Sequence, residues 1–114
     1  MDHHAENVLI AGEWRPADAS STFQAINPDT GETLPHVYSV SSRADVDAAL
    51  CAGAAAARVL AAAEPKRIAA FLDGYAHRID AAKDEIAAAA NLETALPVSP
   101  RLADIELPRT TDQL

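Results

Sequence analysis

The strongest periodic signal lies in residues 65–94, which read PKRIAAFLDGYAHRIDAAKDEIAAAANLET. Their apolar side chains recur at alternating spacings of four and three residues, the pattern of an α-helix with one apolar face. The members of this stripe are Ile68, Leu72, Tyr75, Ile79, Ala82, Ile86 and Ala89. Pro65 suits the first position of a helix, where no N–H is needed. Because Pro97 and Pro100 cannot continue a helix, the pattern predicts one long helix from Pro65 to about Thr94.

A second long helix is predicted immediately upstream. Ser42 followed three residues later by Asp45 is a capping pattern, and no proline occurs between it and Pro65. The helix is therefore expected from about Arg43 to Ala63. Its larger apolar residues share one face, and alanines fill the positions between them. These residues are Val46, Leu50, Val59 and Leu60.

Two glycines fall inside the predicted helices. Gly53 lies in the first helix and Gly74 in the second. A glycine in a helix interior costs about 1 kcal/mol relative to alanine. We therefore expect a neighbouring helix to approach closely at both positions, because that would explain the missing side chain.

The residues that precede the helices predict strands. Residues 1–7 are polar and are expected to form a flexible tail, whereas residues 8–14 predict a first strand. Two further runs flank the sequence NPDTGE at residues 27–32, where proline suits the second position of a turn and glycine tolerates a positive φ. A β-hairpin is therefore expected around residues 22–40.

The final residues, 101–114, predict only short elements. A few residues with helical character precede Pro108, and the segment from Thr110 to Leu114 is typical of the cap and first turn of another helix. The chain is thus expected to be α+β. An N-terminal strand and a β-hairpin precede two long antiparallel helices and the start of a third.

Composition and charge limit the classes of function. The 114 residues carry a net charge of −8, which argues against nucleic acid or an anionic membrane as the main partner. No apolar run approaches the roughly 18 residues of a membrane span. The single cysteine allows no internal disulfide, so a cytoplasmic location is expected. Of the apolar residues 27 are alanines, which bury little area each, so the composition suits part of a larger fold and predicts marginal stability.

Few side chains have a pattern that predicts chemistry. Cys51 lies in the middle of the first helix, and we interpret it as a small packed hydrophobic residue, not a nucleophile. His36 and His77 have no sequence neighbour that would make a dyad or a metal pair, and the adjacent His3 and His4 lack further ligands. The glycines form no phosphate-binding loop. No catalytic, cofactor-binding or metal-binding residue is therefore predicted in this chain.

Several local strings, in their order along the chain, resemble the N-terminal segment of the aldehyde dehydrogenase superfamily. The resemblance covers about residues 8–114 and is carried by five strings. They are Leu9-Ile10-Ala11-Gly12-Glu13-Trp14, Ile26-Asn27-Pro28-Asp29-Thr30-Gly31-Glu32, Val46-Asp47-Ala48-Ala49-Leu50, Arg67-Ile68-Ala69-Ala70-Phe71-Leu72 and Glu93-Thr94-Ala95-Leu96-Pro97. They are similar to the family's opening strand, first turn, starts of the first and second helices, and second helix end.

The resemblance implies an α/β family whose members use NAD or NADP to oxidise an aldehyde to its acid. It implies that residues 8–114 are an incomplete N-terminal part of the cofactor-binding domain, completed by the remainder of the fold and assembled into a homo-oligomer. The family's cofactor-binding turn, general-base glutamate and nucleophilic cysteine all lie beyond residue 114. Cys51 does not match the nucleophile's motif, so this chain alone is expected to bind no cofactor and to be inactive.

The tail of the chain resembles one branch of that family, which acts on 2,5-dioxovalerate (α-ketoglutaric semialdehyde). The residues that carry this finer resemblance are Glu93-Thr94-Ala95-Leu96-Pro97, Arg101-Leu102, Arg109-Thr110 and Gln113-Leu114. The chain departs from the family at Ala95, where a glycine is usual, and at Ala57 and Leu60, where a Phe and a Trp are usual. If the helix closes at Ala95 with a positive φ, alanine there costs on the order of 1 kcal/mol.

An alternative hypothesis is a stand-alone interaction module. The stripe from Ile68 to Ile86 would then join the helix pairs of two copies, since small residues permit close approach between helices. The two hypotheses predict different things for the isolated chain. The first predicts a chain that lacks its natural partners, and the second predicts a defined dimer.

Overall fold

The computed structural model describes residues 4–114. Of the two adjacent histidines in the predicted tail, His4 is therefore described and His3 lies outside the described residues. The chain forms two compact units. Unit 1 contains residues 4–25 and 33–62, and unit 2 contains residues 26–32 and 63–114. The mixture of helices and two-stranded antiparallel sheets confirms the predicted α+β class.

The first predicted strand is a short hairpin in the structure. β1, Val8–Ile10, pairs with β2, Glu13–Arg15, in an antiparallel register that places Leu9 opposite Trp14. Ala11 and Gly12 connect the strands with φ values of 54° and 85°. Two successive positive φ angles are typical of the two-residue turn that suits the right-handed twist of a hairpin. The prediction of one continuous strand missed this turn, because alanine is an unusual residue at such a position.

The second hairpin is confirmed. β3, Ala19–Ile26, and β4, Thr33–Ser41, form the other two-stranded sheet. In the turn between them, the Asn27 side-chain oxygen accepts from the Asp29 N–H at 2.9 Å, and Gly31 has a φ of 74°. These are the roles that the sequence predicts for an asparagine and a glycine in this turn.

The first helix, α1, covers Arg43–Ala61 and belongs to unit 1, where it contacts β1 and β4. Ser42 is its N-cap, as predicted, and its side chain accepts from the Asp45 N–H at 3.3 Å. The expectation of close approach at the helical glycines is wrong for this structure. A Cβ added at Gly53 or Gly74 would meet nothing within 4 Å.

Unit 2 contains the second predicted helix in two pieces, α2, Pro65–Ala81, and α3, Lys83–Thr94. The interruption is a change of dihedral angles at Ala82, where φ is −99° and ψ is 13°. The helical hydrogen bonding crosses it, because Ala82 donates its N–H to the Arg78 carbonyl and accepts from the Ile86 N–H. Sequence periodicity therefore located the helical segment but not the local break within it.

The helix α3 is closed by Ala95, which has a left-handed φ of 58°, so the condition under which alanine is costly at this position is met. Its N–H donates to the Asn91 carbonyl at 2.8 Å. The Asn91 side chain in turn donates to the Leu96 carbonyl at 2.8 Å. The helix end is thus closed by hydrogen bonds even though its left-handed residue is not glycine.

The tail of the chain contains more helix than predicted. A π-helical segment, Val98–Glu106, departs from helical geometry at Ser99 and leads into α4, Leu107–Asp112. The segment from Thr110 to Leu114, predicted as the cap and first turn of another helix, instead coincides with the end of α4. Thr110 lies inside α4 and its hydroxyl donates to the Glu106 carbonyl at 2.9 Å.

A small apolar cluster forms the core of unit 2. The buried residues are Ala87 from α3 with Leu102 and Ala103 from the π-helical segment, and Ala90 and Leu107 pack against them. The segment also contacts α4, and α4 contacts α2. Among residues 4–114, no helix is both long enough and apolar enough to cross a membrane.

Candidate functional site

A buried carboxylate is the main polar feature of unit 1. Asp45, in the first turn of α1, is only 3% exposed. Its Oδ1 accepts from an Arg15 guanidinium N–H at 2.7 Å, and its Oδ2 accepts from the Asp18 backbone N–H at 2.7 Å. A buried carboxylate is stable only when such partners compensate for the lost water. An acidic side chain near a helix N-terminus also interacts favourably with the helix dipole.

Ser42 extends this arrangement into a network. Its hydroxyl donates to the Asp18 carboxylate at 2.8 Å, and its backbone N–H donates to the Asp18 carbonyl at 2.8 Å. The same hydroxyl oxygen accepts from the Asp45 N–H. Together, Arg15, Asp18, Ser42 and Asp45 join the end of β2, the connection to β3 and the start of α1. We refer to these four residues as the Asp45 network.

The geometry of the Asp45 network is that of a structural anchor. Both carboxylate oxygens of Asp45 already accept short hydrogen bonds, and the buried side chain has no open face toward a substrate. A general base needs a free acceptor within reach of the proton that it removes. Asp45 therefore holds backbone segments in position.

Sequence reasoning identified only part of this network. Ser42 and Asp45 were predicted as a helix cap, but the pairing of Asp45 with Arg15 was not predicted. The two residues are 30 positions apart, and no local pattern relates them. The sequence did contain one indication of the network, which is the acidic residue at the third position of the helix. A side chain at that position can take part in the helix cap and can also reach the segment that precedes the helix.

The structure corrects the interpretation of Cys51. The thiol is exposed on α1, not packed as a small hydrophobic residue. In unit 1 the helix contacts β1 and β4, and Cys51 is not covered by either. It lies in the third turn of α1, away from the helix N-terminus, which is one of the positions that activate a catalytic thiolate.

The histidines that the structure describes are His4, His36 and His77, and they belong to no cluster of metal-ligating side chains. The ring Nδ1 of His36 lies 3.0 Å from a Glu6 carboxylate oxygen, and both side chains are exposed. His4 and His77 are also exposed. Within residues 4–114, no group of three or more His, Cys, Asp or Glu side chains is arranged to hold a metal ion.

Unit 1 has several open grooves, of which two illustrate a polar and an apolar type. One is polar and is lined largely by hydroxyl and small side chains along β3, including Ser20, Ser21 and Thr22. The other is apolar and lies between the β1–β2 hairpin and α1, where Leu9 and Ala52 contribute to its walls. His4 and four hydroxyl side chains line the polar groove, whereas the apolar groove is lined only by aliphatic residues and glycines.

The comparisons with known proteins agree with this architecture. The aldehyde dehydrogenase family model matches residues 14–114, and the chain belongs to that family. The structure is similar to the crystal structure of an NAD-dependent benzaldehyde dehydrogenase from Corynebacterium glutamicum, with a TM-score of 0.83 and 24% sequence identity. That match covers 98% of this chain and 23% of the benzaldehyde dehydrogenase, so the chain spans about a quarter of the length of its structural neighbour.

These matches confirm the resemblance to the aldehyde dehydrogenase superfamily. The family match extends from the end of the first quoted string through the whole of the helical region. At 24% identity, the structural neighbour supports the fold only. The finer assignment to the 2,5-dioxovalerate branch stays a prediction.

Proposed function

We propose that this chain is the amino-terminal part of the cofactor-binding domain of an NAD(P)-dependent aldehyde dehydrogenase. The family match over residues 14–114 is the observation that supports this proposal most strongly. The NAD dependence of the structurally similar benzaldehyde dehydrogenase supports a nicotinamide cofactor for the intact enzyme. In that reaction the aldehyde is oxidised to the carboxylic acid and the cofactor is reduced. The single cysteine supports a cytoplasmic location.

The residues of this chain contribute architecture to such an enzyme. The Asp45 network holds the first hairpin and the start of α1 together. Cys51 has neither a helix N-terminus nor a neighbouring dyad to activate it. We therefore propose that residues 4–114 carry neither the nucleophile nor the base, and that this chain alone binds no cofactor and turns over no aldehyde.

Exposed apolar side chains support the proposal that the rest of the aldehyde dehydrogenase fold packs against this chain. Trp14 is 69% exposed, Val59 is 72% exposed and Phe71 is 68% exposed. Large apolar side chains in such numbers on a surface are typical of segments that contact other protein. We propose that the remainder of the aldehyde dehydrogenase fold covers some of these side chains in each unit, within the homo-oligomer that the family resemblance implies.

The first experiment is to sequence the coding region past the codon for Leu114. We expect an open reading frame that encodes a cofactor-binding turn, a glutamate motif and a cysteine motif. An immediate stop codon would contradict the proposal that the chain is part of a complete dehydrogenase. In parallel, the purified 114-residue chain is mixed with an aldehyde and NAD or NADP while the absorbance of the reduced nicotinamide is followed. No reduction above the protein-free rate is expected, and sustained turnover would overturn the proposed inactivity.

The substrate of the intact enzyme is proposed from the tail of the chain. Its resemblance to the 2,5-dioxovalerate branch supports, as substrate, a small aldehyde that also carries a keto group and a carboxylate. The measurement is kcat/KM of the intact enzyme for 2,5-dioxovalerate and for benzaldehyde. A clear preference for 2,5-dioxovalerate is expected, and an equal or greater value for benzaldehyde would contradict the branch assignment.

The alternative of a stand-alone dimerisation module has weaker support. It relies on the stripe of the second helical region, but Leu72 and Ile79 of that stripe are already half-buried and α2 contacts α3 and α4 in unit 2. Sedimentation of the isolated chain distinguishes the dehydrogenase fragment from the dimerisation module. A discrete dimer at tens of micromolar that Leu72→Asp abolishes would favour the alternative, whereas a monomer would exclude it.

A further inference from the structure

We draw no further inference here: the strongest candidate, the open apolar groove that Leu9, Ile10 and Gly12 of the β1–β2 hairpin form with Ala52 and Gly53 of α1, carries none because nothing in the structure shows what covers it.

Discussion

The two units of this chain are organised around different kinds of interaction. In unit 1 the residue that is buried most completely is a charged one, Asp45, and its hydrogen bonds hold three segments of backbone. In unit 2 the buried residues are Ala87, Leu102 and Ala103, a cluster without polar side chains. Within residues 4–114, no apolar side chain of unit 1 reaches the same degree of burial.

This difference follows from the alanine content of α1. A buried methyl group contributes little area, so an alanine-rich helix has a weak apolar driving force for docking. The conformational entropy lost on ordering the helix is not reduced in proportion. In unit 1, the charged hydrogen-bond network at the N-terminus of α1 fixes the position of the helix. In unit 2, apolar packing around Leu102 has the corresponding role.

The largest effect is expected from Leu102→Ala, which tests the apolar half of the comparison. Loss of a buried leucine side chain should destabilise the chain by about 3 kcal/mol, through lost transfer free energy and a cavity. Urea denaturation measures the change, and faster amide hydrogen exchange in α3 and α4 locates it. Leu92→Ala is the matched control, because Leu92 is 48% exposed. Equal losses for the two variants would show that the cluster is not the core of unit 2.

A somewhat smaller loss is expected from Asp45→Ala, which tests the polar half. Removing the carboxylate leaves the Asp18 N–H and the Arg15 guanidinium without their acceptor, at a cost of about 2 kcal/mol. Part of the Arg15 side chain is exposed and can be hydrated, so the loss should stay below that of a fully buried pair. Amide exchange in the first turns of α1 should accelerate.

The control for Asp45→Ala is Asp47→Ala on the same helix. Asp47 is 59% exposed and its i,i+4 partner Arg43 lies at 3.7 Å, so the pair contributes at most about 0.5 kcal/mol. If both substitutions changed the free energy of unfolding by the same amount, the Asp45 network would not anchor unit 1.

A stabilising change of about 1 kcal/mol is expected from Ala95→Gly in unit 2. Ala95 has a φ of 58°, a conformation that glycine adopts without the steric cost of a Cβ. Ala89→Gly, at an exposed position inside α3, should have the opposite sign, because glycine weakens a helix interior by about the same amount. Thermal denaturation of the two variants measures both changes. Destabilisation by Ala95→Gly would contradict the left-handed helix end.

The smallest change is expected from Gly53→Ala on α1. A Cβ at Gly53 would meet nothing within 4 Å, so the gain in helix propensity should stabilise unit 1 by about 0.5–1 kcal/mol. Gly12→Ala is the contrasting control, since Gly12 also has open space but a φ of 85°, and alanine there should be destabilising. A destabilising Gly53→Ala would show that another surface does approach this position closely, as the sequence predicts.

Local patterns predicted the elements well and their details less well. The 4–3 spacing of apolar residues located α2 and α3, and the cap at Ser42 located the start of α1. The break at Ala82 and the turn at Ala11 were missed because alanine gives no local indication of a break or a turn. It is compatible with the interior of a helix and with a strand. The exposure of Cys51 was missed because periodicity shows which residues share a face, but not which face is covered.

Local sequence was sufficient to predict the α+β class, the second hairpin, the helical regions and the resemblance to the aldehyde dehydrogenases, since these depend on spacing and on residues that are close in sequence. The pairing of Asp45 with Arg15 across 30 residues, and the core that Leu102 forms with Ala87, became visible in the three-dimensional fold. Contacts between distant residues depend on the positions of whole elements. Those positions follow from the sum of many weak packing and desolvation terms that no local pattern contains.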